Sequence, residues 1–178
     1  MDFKEEKISS KLIYDGKILS LYVDDVRLPD GKQSKRECIR HCGGACVLFV
    51  KEGKIALVKQ YRYIYGKEIY EIPAGKIDVG EQPDVAAKRE LIEETGYKAE
   101  VKHLLDIYPT PGYTDEVIHI YLAENGEYVG EKLDEGEFLN CEFFTLDRVL
   151  EMIENGEICD AKTVSAVYKY LYEKNIKI

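Results

Sequence analysis

The chain has 178 residues, 45% hydrophobic and 33% charged, which is enough for one substantial core with no low-complexity tract or internal repeat. A formal net charge of −9 argues against a nucleic-acid-binding surface, which needs clustered Lys and Arg. No run approaches the ~20 apolar residues of a membrane span. The charged start MDFKEEKISS does not read as a signal peptide, so a cytoplasmic protein without membrane contact is expected.

Residues 10 to 42 alternate in strand fashion around Asp15-Gly16 and Asp30-Gly31, two hairpin signals, and predict a small antiparallel sheet. ACVLFV is a continuous apolar run, the pattern of a strand buried on both faces. KEGK turns the chain, IALVKQYRY returns as a partner strand, and IYEIPAGKI is extended up to Pro73. A helix then starts with Pro83 in its first turn and closes at Gly96, with Val85, Ala87, Leu91 and Ile92 supplying an apolar side and the glutamates lying away from most of it. YKAEVKHLLDIYP and EVIHIYLAE are further strands separated by the loop TPGYTDE, and FLNCEFF follows the acidic loop EKLDEGE. Two helices finish the chain, one stopped at Gly156 and one capped by Asp160. Mixed strands with flanking helices predict an α/β layer domain.

Five cysteines, an odd number, predict no disulfide framework. Cys38, Cys42 and Cys46 recur every four residues but lack the paired spacing of a zinc site, so they read as small buried hydrophobes. His41, His103 and His119 are scattered and read as structural.

The chemistry concentrates in GKIDVGEQPDVAAKRELIEETGY, residues 75–97. Glu90, Glu93 and Glu94 fall within one helical turn and share a face. Like charges at that spacing repel by some tenths of a kcal/mol per pair, so the cluster calls for a cation. Magnesium is the natural partner of such hard oxygen ligands, with manganese as a substitute. Arg89 carries a rigid donor fork that suits pairing with Glu81 or Glu93, orienting the ligands.

Gly75, Glu81, Arg89-Glu90, Leu91, Glu93-Glu94 and Gly96 reproduce the Nudix box, and here the chain resembles the Nudix hydrolases. Only Tyr97 departs from the pattern, in a place where an aliphatic residue is usual and an aromatic can pack. PAGKID, TPGYTDE, Glu135 to Glu137, DAKT and Pro111 extend the resemblance to the ADP-ribose pyrophosphatase branch, over nearly the whole chain. The resemblance implies a Nudix-type mixed sheet sandwiched between helices (43–178) preceded by the small antiparallel sheet (1–42), the latter exchanged within a homodimer.

It also implies metal-dependent hydrolysis of ADP-ribose to AMP and ribose 5-phosphate. The alternatives are another nucleoside-diphosphate sugar such as GDP-mannose, or a non-catalytic ADP-ribose sensor. Glu90 and Glu94 would ligate metal, Glu93 would bridge or complete a second ion, and the Ala74 carbonyl would also coordinate. The general base would lie on the acidic loop with Asp134, at Glu135 first and Glu137 second. Arg36 and Glu37, reaching across from a partner subunit, and Arg62 would touch the adenine or the phosphates, and Glu116 would lie near the terminal ribose.

Overall fold

The computed structural model describes residues 2–133 and 135–176, which fall into two compact units. One unit runs through Gly43 and includes Tyr108–Val117. Its strands β1 (Glu6–Asp15), β2 (Leu19–Arg27) and β3 (Gln33–His41) form an antiparallel sheet in the order β1-β2-β3. The β2–β3 turn places Gly31 at φ 86°, in the left-handed region that glycine enters without steric cost. The TPGYTDE loop, which separates two later strands, runs alongside β3. Ile39 N–H donates to the Tyr113 carbonyl at 2.7 Å, and Asp115 N–H to that of Ile39 at 3.2 Å. Every residue of β1 is exposed.

The other unit comprises the rest of the chain. Its strands are β4 (Gly44–Lys51), β5 (Lys54–Arg62), β6 (Lys67–Glu71), β7 (Ala74–Lys76), β8 (Tyr97–Lys98), β9 (Lys102–Ile107), β10 (Ile118–Glu124), β11 (Glu127–Tyr128) and β12 (Leu139–Thr145). The main path is β12-β5-β4-β10-β9, with β6 on β5 and β7 on β4, while β8 and β11 form a separate ribbon. The pair β4–β10 is parallel and the other pairs are antiparallel, so the sheet is mixed as expected. β4 and β5 pair only beside their turn, at Val50–Ile55 and Lys51–Lys54. Beyond that they part, and β6 and β7 fill the gap, carrying the chain from β5 across to β4 at Ile72-Pro73. This crossing delivers Ala74 and Gly75 to their place.

β4 is buried on both sides, as its unbroken apolar run implies. Ala45, Val47 and Phe49 face helix α1 (Pro83–Thr95) through Ala86, Ala87 and Leu91. Cys46, Leu48 and Val50 face α2 (Leu146–Glu154) and α3 (Ala161–Lys174) through Val149, Met152, Ala166 and Val167. The sheet is thus sandwiched between helices. Among the described residues no helix is long and apolar enough to cross a membrane.

Tyr97 packs as an aromatic in the position expected of an aliphatic residue, with ring centroids 5.2 Å from Phe49 and 5.7 Å from Phe143. Two expectations are corrected. Cys46 is buried, but Cys38 is half-buried and Cys42 exposed, because β3 ends at His41 and the left-handed Gly43 breaks the strand pattern between them. In α1 the residues turned inward include Glu90 and Glu94, while Val85 is 51% exposed. The helix buries carboxylates where amphipathic spacing predicts hydrophobes.

Candidate active site

Helix α1 begins with Pro83, whose missing N–H is one donor fewer to satisfy in the first turn, and ends at Gly96, whose N–H donates to the Ile92 carbonyl at φ 74°. Between these punctuations the acidic turn is fixed against β7. Ala74 N–H donates to Glu94 Oε2 at 2.8 Å. A Cβ on Gly75 would lie 1.9 Å from Glu90 Oε1, so the absence of a side chain there is what lets the Glu90 carboxylate rest on the strand.

Arg89 ties the cluster together. Its Nε and Nη2 donate to the two oxygens of Glu81, both at 3.0 Å. Nη1 donates to Glu90 at 2.6 Å and Glu93 at 2.9 Å, and Nη2 also reaches the Lys76 carbonyl at 3.1 Å. Glu81 accepts the Asp78 N–H at 3.0 Å as well, anchoring the loop before the helix. All five guanidinium donors are engaged within the protein.

The electrostatics of the turn are strained in a useful direction. Burial pushes Glu90 up to about 7; Arg89 opposes this, and the charges of Glu93 and Glu137 add to it. Burial pushes Glu94 up to about 8; the Ala74 N–H opposes this, and Glu90, Glu137 and Glu71 add to it. Carboxylates buried beyond what their partners compensate ionise more readily when a cation joins them. An all-oxygen donor set on one helical turn suits magnesium or manganese, so Glu90, Glu93, Glu94 and the Ala74 carbonyl fit a hard divalent ion. Among the described residues no three such side chains already converge as a formed metal site. Arg89 Nη1 draws Glu90 and Glu93 onto itself, so an ion would share them with it.

The remaining candidates are distributed as follows. Asp134 lies outside the described residues. Glu135 and Glu137 flank Gly136, at φ 89°, and both are exposed. Glu137 is the one of the two whose charge is felt at both Glu90 and Glu94. It also lines a groove of ≈ 370 Å³ with Lys59, Tyr61, Glu68, Leu133 and Phe138. Arg62, expected to touch the adenine or the phosphates, pairs its fork with Glu71, with Nε at 2.6 Å from Oε1 and Nη2 at 2.9 Å from Oε2. Nη1 makes no hydrogen bond among the described residues, and this edge remains for an anion. Arg36, Glu37 and Glu116 belong to the other unit. There Arg36 pairs with Glu5, Glu37 is exposed on β3, and Glu116 lies 3.5 Å from His41 Nδ1.

Sequence reasoning passed over a second ionic cluster. Glu71, at the end of β6, accepts from both Arg62 and Lys162, and Lys162 also donates to Asp160 at 2.9 Å. Asp160 caps α3, accepting from the Thr163 N–H at 3.0 Å and from its hydroxyl, and Thr163 Oγ1 accepts the Ile72 N–H at 2.9 Å. The signal was present: a lone charge in IYEIPAG, inside a strand otherwise reading as core, calls for a buried partner.

Known proteins place this arrangement. A NUDIX domain model matches residues 40–167, and a model of the nucleoside diphosphate sugar hydrolase N-terminal domain matches residues 5–39. An ADP-ribose pyrophosphatase of Bacillus subtilis (strain 168) is 46% identical over 96% of this chain and 94% of that protein. A methanol dehydrogenase activator of Bacillus methanolicus is 43% identical, covering 98% of this chain and 97% of that protein. A crystal structure described as an ADP compounds hydrolase superposes with a TM-score of 0.84 at 22% identity, over 96% of both chains, and shares the fold.

Proposed function

The chain belongs to the Nudix family, joined to the nucleoside diphosphate sugar hydrolase N-terminal domain, and on that premise we propose that it hydrolyses the pyrophosphate of ADP-ribose to AMP and ribose 5-phosphate. The observation that carries the reading is the buried acidic turn, with Glu94 hydrogen-bonded to Ala74 N–H and Glu90 resting on Gly75. The likeness to the Bacillus subtilis pyrophosphatase supports ADP-ribose as the substrate.

Glu90, Glu93, Glu94 and the Ala74 carbonyl would hold magnesium, or manganese in its place. Bound there, such an ion polarises phosphoryl oxygens and lowers the pKa of a coordinated water. The protein's own groups do the rest. Arg89 holds Glu90 and Glu93 in orientation, and Glu81 holds Arg89. Arg62 offers Nη1 to the pyrophosphate while Glu71 keeps the guanidinium plane fixed. The loop carboxylate takes the proton of the attacking water. Of the two candidates Glu137 is the better base, because its charge already acts on Glu90 and Glu94.

Arg36, Glu37 and Glu116 would contact substrate in a homodimer whose N-terminal sheet (1–42) packs against a second copy. The fully exposed β1, with Ile8, Leu12, Ile13 and Tyr14 each at least 46% exposed, supports that role. Residence in the cytoplasm is part of the same proposal.

A panel of nucleotide sugars in magnesium, assayed for released monophosphate, tests the reading. ADP-ribose should be preferred, and equal rates on GDP-mannose would remove the substrate assignment. Tight ADP-ribose binding without turnover would make the chain a sensor. The Bacillus methanolicus relative favours a second reading, action on a partner dehydrogenase. A rise in alcohol dehydrogenase activity on adding this chain, with no hydrolysis of ADP-ribose, would establish that instead.

A further inference from the structure

The ion cluster at the start of α3 has no part in holding the acidic turn of α1, yet it is among the most buried polar arrangements in the molecule. Lys162 is 8% exposed and Glu71 2%. Glu71 Oε2 is shared between Arg62 Nη2 and Lys162 Nζ, while Oε1 takes Arg62 Nε. Asp160 balances Lys162, so two cations meet two carboxylates and the group is neutral overall. The cluster lies within electrostatic reach of the acidic turn: the charge of Glu94 acts on Arg62, and that of Glu71 acts on Glu94.

We propose that Lys162 is a positioning residue for anion binding: by holding the Glu71 oxygen that Arg62 Nη2 also uses, it fixes the Arg62 guanidinium with Nη1 left to receive a pyrophosphate. The inference rests on the hydrolase reading given above for Arg62. Two physical effects follow from the shared oxygen. First, Lys162 pins the Glu71 carboxylate, and a carboxylate pinned on one side presents a fixed edge to a bidentate arginine. Second, the Lys162 charge offsets one of two carboxylates, Glu71 buried and Asp160 half-buried. Without it, Asp160 and Glu71 would leave the cluster one unit negative beside an anionic ligand, and Arg62 would be held by the excess negative charge. A lysine serves here because its compact ammonium can bridge Glu71 and Asp160, which approach it from β6 and from the α3 cap. Thr163, bonded to Asp160 and to the Ile72 N–H, keeps the cap and the strand in register.

The test uses the full chain in magnesium and calorimetric binding of methylenediphosphonate, a pyrophosphate that cannot be hydrolysed, so that it needs no turnover. Lys162→Met should weaken binding about tenfold or more, the scale of one charged hydrogen bond. Arg62→Ala should weaken it similarly, and the double variant should be no worse than Arg62→Ala alone, because Lys162 acts through Arg62. In kinetics the Lys162→Met loss should appear in KM more than in kcat. Should the Met variant unfold, Lys162→Gln, which keeps hydrogen bonding but not the charge, carries the same expectation. A lower melting temperature with unchanged binding would make Lys162 purely structural and overturn the inference. Additive losses in the double variant, or no binding by the unaltered chain, would also overturn it. Absence of ADP-ribose turnover with the binding pattern intact would remove the hydrolase reading alone.

Discussion

Glu71 and Glu94 are equally deep in the fold, 2% and 3% exposed, and their surroundings treat them in opposite ways. Burial alone would raise the pKa of Glu71, but the hydrogen bonds and charges of Arg62 and Lys162 outweigh it and hold the carboxyl below its ordinary value. Glu94 is given one backbone N–H, and burial with neighbouring carboxylates pushes it up to about 8. Glu71 ends β6, and Glu94 lies on α1 against β7, the strand that follows β6 after Ile72-Pro73. The first is a finished ion pair, saturated by the chain's own cations. The second is left short of positive charge, as the proposed role of metal ligand requires. A single protein interior thus holds one carboxylate that its own cations compensate and one that they do not, differing only in the partners supplied.

Breaking each carboxylate in turn should therefore give opposite phenotypes. Glu94→Gln should lower kcat in magnesium by roughly 10²–10³-fold, the scale of losing one preorganised electrostatic contact with the transition state. Its melting temperature in chelator should not fall, since glutamine keeps an acceptor oxygen for the Ala74 N–H; a clear drop would show that Glu94 is a structural ion after all. Glu71→Gln should instead cost ~3 kcal/mol of stability in denaturant titration, because it leaves Lys162 buried with only Asp160. A stability loss under half of that would mean water reaches the cluster.

Gly75→Ala sharpens the ligand side. The clash falls on the end of the Glu90 side chain, which can swing away, so stability should change little. Misplacing that carboxylate by an ångström should nonetheless reduce turnover by up to ~10²-fold. Equal losses in stability and turnover would count against this account.

The smallest effect is in pH. The folded pKa of Glu71 is lowered, so the stability it contributes is present above its unfolded value, near 4.5, and disappears as pH falls through the lower folded value. Unfolding curves from pH 7 to pH 3 should show the unaltered chain losing stability below about 4.5 more steeply than Glu71→Gln. Parallel curves would remove Glu71 from the acid transition.

The layers of the main sheet and helices were legible because their signals are local. Pro83 and Gly96 bound α1, Asp160 caps α3, and the unbroken run in β4 announces a strand covered on both faces. The box glutamates were legible as a cluster, but not as buried groups. Helical periodicity counts Glu as polar and Val as apolar, so it turned Val85 inward and the carboxylates outward, the reverse of what packing against β7 requires. Glu71 and Lys162, 91 residues apart, find each other only in three dimensions, and a sequence scan gives neither a partner. The two-residue ribbon of β8 and β11 is likewise too short to leave a periodic trace.

Arg89 has five N–H groups and five acceptors: two oxygens of Glu81, one each of Glu90 and Glu93, and the Lys76 carbonyl. For a chain drifting through sequence space, that position is an alphabet of one letter. Lysine would preserve the charge yet carry three donors, abandoning at least two acceptors in a crowded acidic turn. No shorter residue reaches Glu81 and Glu93 together. A descendant that lost Arg89 would have to re-partner Glu81, Glu90 and Glu93 in the same step.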